Sequence, residues 1–256
     1  MKVDLGSPVA YQLQLGDELI SMNELIGKEI TLSFDGKITC TVCGRTTKKA
    51  FGQGFCYPCF ANAPENSECI IRPELCQAHE GGGRDPEWEK AHHAQDHYVY
   101  LAASSAIKVG VTRGDQIPTR WIDQGASKAI RFALVPYRQL AGQIEVALKS
   151  HLTDRTDWRK MLKNEVNMDL DLLAEKNKLG DILDADLAQY ITDEDEVVPI
   201  EYPVLRYPIK VKSIGFDKLP IIEGKLSGIK GQYLLFSDER VLNISKHSGY
   251  HISLHA

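Results

Sequence analysis

The sequence predicts a mixed α+β protein in which strands from both ends of the chain form a small β-barrel or sandwich around two insertions. Three observations predict it. Alternating apolar and polar runs, separated by turn residues, fill residues 1–39 and 197–256. Two Cys-x2-Cys pairs stand between residues 40 and 59, the spacing of a zinc-ribbon-like insertion. From His97 to His151 come two strand patterns, a short helix, a third strand and a helix with one apolar face, a small mixed α/β module. The expected divisions are an N-terminal β region (1–39), a zinc-binding region (40–96), the central module (97–164), an acidic helical linker (165–196) and a C-terminal β region (197–256) that packs with the first.

A chain of 256 residues can bury a sizeable core in one large or two to three small domains. Its net charge of -5 argues against a generally basic nucleic-acid coat. No apolar run approaches the ~20 residues of a membrane span. The start, MKVDLGSPVA, carries no signal-peptide core, and a cytoplasmic protein is the expectation.

In the N-terminal region VAYQLQL alternates, Gly16-Asp17 offers a turn, and KEITLSFDGKIT is a second alternating run broken by Asp35-Gly36. Neither terminal strand set is large enough to cover both its faces alone, so the two are expected to combine. In the C-terminal block, Gly231-Gln232-Tyr233 and Asn243 stand beside turns and are candidates to face a ligand.

Cys40, Cys43, Cys56 and Cys59 have the spacing of a tetrahedral four-thiolate zinc site, and Gly44 permits the tight turn after the first pair. Such a Zn2+ is structural, because four thiolates leave no position for water. Paired spacing without a signal peptide disfavours the alternative of secreted disulfides. Cys69 and Cys76 are followed by His79, His92, His93 and His97. A second zinc site of Cys69, Cys76, His79 and a later histidine such as His92 is chemically sensible, against the alternative of packed thiols and solvent-facing imidazoles. Glu80 to Pro86 reads as a loop, since no strand-turn-helix context makes its glycines a phosphate cradle. A short helix from Glu87 to Gln95 leads into the central module.

In that module Tyr98–Ala102 and Ile107–Thr112 read as a hairpin, Asp115-Gln116 and Pro118 as the start of a helix carrying Arg120 and Trp121, and Ala129–Pro136 as a third strand. Leu140, Ala141, Ile144, Leu148 and Leu152 make the apolar face of the closing helix, with Glu145 at its edge. Lys and Arg outnumber Asp and Glu here by about two to one, and Lys108, Arg113, Arg120, Lys128, Arg131 and Arg138 are candidates for a phosphate-facing groove. Trp121 and Trp158 read as packing residues.

The order and spacing of these residues resemble the GIY-YIG nuclease superfamily. Tyr98-Val99-Tyr100 stands at its first tripeptide and Lys108-Val109-Gly110 at its second; Arg120 falls on its helical arginine and Glu145 on its metal-binding glutamate. Tyr98 replaces the first glycine and Lys108 the second tyrosine, and Asn164 is the candidate for a late asparagine. The resemblance implies phosphodiester hydrolysis with one Mg2+ or Mn2+ on Glu145, Tyr100 as base or orienter, and Arg120 as charge stabiliser. His97 is a further candidate base, and Lys108 a phosphate contact.

Residues 165–196 supply apolar faces for one or two helices, and their many acidic groups, including Asp193-Glu194-Asp195-Glu196, read as a solvated face. Three functions follow from these readings: a metal-dependent nuclease on DNA or RNA, a non-catalytic nucleic-acid-binding protein on the same scaffold, and a zinc-stabilised structural or protein-interaction module.

Overall fold

A computed structural model describes residues 1–152, 157–167 and 169–256, and the fold is mixed α+β. The strands β1 (Lys2–Asp4), β2 (Ala10–Leu15) and β3 (Glu18–Ser21) form an antiparallel sheet of their own. β4 (Glu29–Thr39) enters a different sheet, and β5 (Thr46–Thr47) pairs with its end. The cysteine-rich stretch contains α1 (Tyr57–Asn62) and α2 (Pro86–His93), joined by 3-10 turns. Next come β6 (His97–Ala103), β7 (Ile107–Arg113), α3 (Thr119–Asp123), β8 (Lys128–Val135) and α4 (Arg138–Lys149). After α4 come α5 (Trp158–Leu162) and, in the linker, α6 (Leu172–Gly180) and α7 (Ala185–Ala188). The chain then runs through β9 (Val198–Pro199), β10 (Lys212–Ile214), β11 (Ile221–Lys230), β12 (Tyr233–Phe236), β13 (Arg240–Asn243) and β14 (Tyr250–His255).

The terminal strands do combine, through β4 rather than through the whole N-terminal region. β4 lies between β11 and β14 in a curled half-barrel of order β10-β13-β12-β11-β4-β14. The separate sheet β1-β2-β3 reaches the same core through Val9, Tyr11, Leu13 and Met22, which pack with Ile30, Leu32, Ile222 and Leu234. Asp35-Gly36 does not break β4. These residues absorb a bulge: the register with β14 shifts between Ile252 and Tyr250, Gly36 takes φ +88°, and the Asp35 carboxylate accepts from the Lys37 amide.

The central sheet has the order β7-β6-β8-β9, antiparallel throughout. β6 is buried on both faces, so its sequence is apolar at nearly every position. Tyr100 and Ala102 face the half-barrel core, while Val99, Leu101 and Ala103 face α4 and α6. The apolar stripe of α4, Leu140, Ala141, Ile144 and Leu148, seals that second core. Before α3 the structure differs from expectation: Asp115 and Gln116 belong to a 3-10 turn, and Pro118 occupies the N-cap position without a side-chain cap.

The acidic run is not a simple solvated face. Glu194 accepts from Arg131 and from the Tyr98 hydroxyl, and the buried Lys176 ammonium donates to Asp195, Thr192 O and Glu194 O. An ammonium removed from water needs these three acceptors, and the run supplies them. The half-barrel meets the central module at α3, where Gln232 donates to the Asp123 carboxylate and Gly231 leaves room for the Asp123 carbonyl. Tyr233 stacks on Trp158, and Asn243 caps the Lys246 amide. The turn-adjacent residues singled out as ligand candidates are thus committed to holding the fold.

Candidate functional site

Cys40 directly follows β4, Cys43 lies in the turn that Gly44 completes at φ +71°, Cys56 occupies the N-cap position of α1 and Cys59 stands in its first turn. Their sulfurs lie within 4.8 Å of one another. Cys43 Sγ and Cys56 Sγ are 3.7 Å apart, against about 3.8 Å for the edge of a tetrahedron with Zn–S bonds of about 2.3 Å. Burial raises the Cys40 thiol, but amides of Cys43, Cys56 and Val42 directed at its sulfur outweigh this and hold it at about 6. The four sulfurs suit a structural zinc.

The second cluster differs from expectation. Cys69, Cys76, Glu89 and His93 bring their ligand atoms within 4.8 Å of one another, while His79 and His92 lie outside. Helix geometry explains the exchange. On α2, whose first turn is capped by Asp85, Glu89 and His93 stand four residues apart and share the face toward the cysteines. His92 is turned by about 100° to the face of Trp88. There its ring stacks at 4.0 Å, and its Nδ1–H donates to Trp88 O. His79 sits in a separate 3-10 turn, stacked on Tyr137. The glycine loop before α2 makes room for this arrangement, since a Cβ on Gly83 would lie 2.4 Å from Glu89 Cγ.

Between this cluster and α4 runs a cleft of about 380 Å³, continuous with a second hollow of about 340 Å³ through the shared residues Gln53, Ile70, Val111, Arg120 and Arg138. Tyr100, Lys108, Arg120 and Glu145 all line the first. Each comes from a different element, β6, β7, α3 and α4. Tyr100 is fully buried beneath the cleft, and its hydroxyl accepts from Gln124 Nε2. Burial pushes its pKa up to about 12, with Arg120 and Gln124 opposing the shift. At neutral pH its hydroxyl therefore keeps its proton. The Glu145 carboxyl is raised by burial, opposed by Lys149 at 3.3 Å and by Lys108 and Arg138.

Arg138 builds the cleft wall: its guanidinium donates to Cys69 O and Ile70 O, each at 3.0 Å. Gly142 lets α4 approach the next turn, because a Cβ there would lie 2.1 Å from Glu74 N. Arg113, Trp88 and His92 continue the surface into the second hollow.

Several expected site residues stand elsewhere. His97 is fully buried outside the cleft, its Nδ1–H donating to Gln95 O, and burial lowers its pKa to about 4. Arg131 is committed to Glu194, Lys128 to Leu170 O, and Asn164 accepts from Lys230. His93 is one of the later histidines left open as a ligand, whereas Glu89 and Gln124 were not anticipated; the i, i+4 spacing of Glu89 and His93 on a helix was the available signal for Glu89.

These features define an α+β protein with a four-cysteine cluster able to hold a metal ion and a basic cleft on a small antiparallel module. The chain belongs to the DUF2797 family, described as a protein of unknown function, and the match spans residues 27–252. That span includes both cysteine clusters and every cleft residue named above. No curated protein and no solved structure matches the chain. Among the described residues, no helix is long and apolar enough to cross a membrane.

Proposed function

We propose that the chain processes nucleic acid in this cleft by GIY-YIG-type hydrolysis of a phosphodiester. The observation that carries the reading is the convergence of Tyr100, Lys108, Arg120 and Glu145 on one cleft that also holds Arg138 and Lys149. A basic cleft accepts the phosphate backbone even on a chain of net charge -5.

Glu145 is the only carboxylate among the described residues lining this cleft. That fits a Mg2+ or Mn2+ bound jointly by one protein carboxylate, substrate phosphate and water. Such an ion, when bound, stabilises charge on the phosphoryl and leaving oxygens. Arg120 faces the same phosphoryl charge, and Lys108 holds a neighbouring phosphate as a point charge. Tyr100, neutral at pH 7, orients the attacking water through its hydroxyl. Water oxygen bonds to phosphorus and gives up a proton to solvent, the bond to the leaving sugar oxygen breaks, and that oxygen takes up a proton from solvent.

A second reading, binding without cleavage, is favoured by Lys149 sitting 3.3 Å from Glu145, where its ammonium takes the place of a cation. Incubation of single- and double-stranded DNA and RNA with Mn2+, using wild type and Glu145→Ala, separates the two. Cleavage lost in the variant supports the hydrolytic reading. Salt-sensitive binding that is equal in both proteins, with no cleavage, overturns it in favour of the second. Absence of both binding and cleavage overturns both and leaves a structural or interaction module.

A further inference from the structure

We propose that Cys69, Cys76, Glu89 and His93 form a second zinc centre, of mixed ligand type, that fastens the cleft wall to α2. All four residues are buried, at 8, 2, 1 and 4% exposure, and their ligand atoms lie within one coordination sphere. Cys69 Sγ stands 3.7 Å from His93 Nδ1, close to the ~3.6 Å edge expected for sulfur and nitrogen on a tetrahedral zinc.

The carboxylate is the decisive group. Glu89 is removed from water, its sole salt-bridge partner among the described residues is His93, and its Oε1 has no hydrogen-bond partner. A carboxylate so placed is strongly unfavourable unless a cation joins it. Among the described residues no lysine or arginine takes that role, whereas a divalent cation shared with two sulfurs and an imidazole would satisfy it.

A catalytic cysteine with a His-Glu relay is the competing use of these residue types. The geometry opposes it. A relay needs one ring nitrogen toward the sulfur and the other toward the carboxylate, yet His93 presents Nδ1 to both Cys69 and Glu89. One nitrogen converging with a carboxylate and thiolates is the arrangement of ligands around an ion.

The centre has a mechanical role that the four-cysteine site lacks. Glu89 and His93 belong to α2; Cys69 and Cys76 bracket the segment whose carbonyls hold Arg138 and whose Pro73–Leu75 turn seats against Gly142. Zinc here joins α2 to the wall of the cleft.

Metal analysis of the purified full chain tests this. Two zinc ions per chain are expected in wild type, and one in Glu89→Gln and in Cys69→Ser/Cys76→Ser. One per chain in folded wild type overturns the proposal, as do two in the double-serine variant. Should the variants fail to fold, cobalt titration of wild type decides. Thiolate-to-cobalt absorption is expected to grow to two equivalents with six Co–S bonds, four from the first cluster and two from this one. Saturation at one equivalent with four such bonds would rule the centre out.

Discussion

Gly110 lies opposite Tyr100 in the β6–β7 ladder, and a Cβ on it would stand 2.5 Å from the Tyr100 hydroxyl oxygen. The phenol ring thus fills the space a side chain would take, and its hydroxyl reaches the cleft across the glycine. Gly110→Ala is expected to displace the ring and lower stability by about 1–3 kcal/mol, the usual range for overpacking. Nucleic-acid binding or cleavage should weaken with it. Thermal unfolding and a binding isotherm check this; wild-type values in both would show that the close approach has no consequence.

Glu145→Gln keeps the shape of the side chain and removes its charge. Because burial raises the Glu145 carboxyl above its ordinary 4.5, protons compete with a divalent cation at higher pH than at an exposed glutamate. Mn2+ affinity, measured with bound non-cleavable nucleic acid, should rise with pH through that raised window and be flat in the variant. Identical pH profiles would remove Glu145 from the ligand set.

His97 gives a stability signature. Its folded pKa of about 4 lies below the unfolded 6.5, so between these values the unfolded chain binds more protons and stability rises with pH. The contribution is full above 6.5, falls as the pH drops toward 4, and amounts to about 3 kcal/mol at 1.36 kcal/mol per pKa unit. His97→Gln should flatten this part of the curve in urea titrations at pH 5 and 7. An unchanged slope would assign the acid sensitivity to other groups.

Arg138→Ala removes two charge-assisted bonds to half-buried carbonyls. A loss of about 2–4 kcal/mol is expected, from about 1.5–3 kcal/mol for each hydrogen bond to a charged group with incomplete additivity. Arg138→Lys should recover only part, since an ammonium does not reproduce the planar fork. Full recovery by lysine would show that the charge alone matters.

Lys149→Ala separates the phosphate-binding role from the ion pair. If the ammonium contacts backbone phosphate, affinity should fall and the slope of log K against log salt should shrink by about 1. Tighter divalent-ion binding with an unchanged salt slope would instead identify Lys149 as a competitor for Glu145.

The central module was legible because its strands are β-branched and apolar runs bounded by turn residues and its closing helix carries one clean apolar stripe. The four-cysteine cluster was equally legible, since all its ligands lie within twenty residues and two turns fix their geometry. The second cluster was half-legible. Its cysteines stood out, but Cys69 and α2 meet only in three dimensions, and histidine is the more familiar partner for thiolate than a glutamate in an apparently exposed helix. The seating of β4 between β11 and β14 was not legible, because register across about 190 residues leaves no local trace. Lys176 and Asp195 show the same limit: each reads as surface charge alone, and only packing makes them partners.

The seating of β4 bears on the order of events during synthesis. Its neighbours β11 and β14 emerge from the ribosome long after it, so apart from the short pairing of its end with β5 both its edges wait with unpaired amides and carbonyls, the condition that invites wrong pairings. Cys40, at the end of that same strand, finds Cys43, Cys56 and Cys59 within the next twenty residues. Metal capture there can anchor one end of the waiting strand while the rest of the half-barrel is still being made.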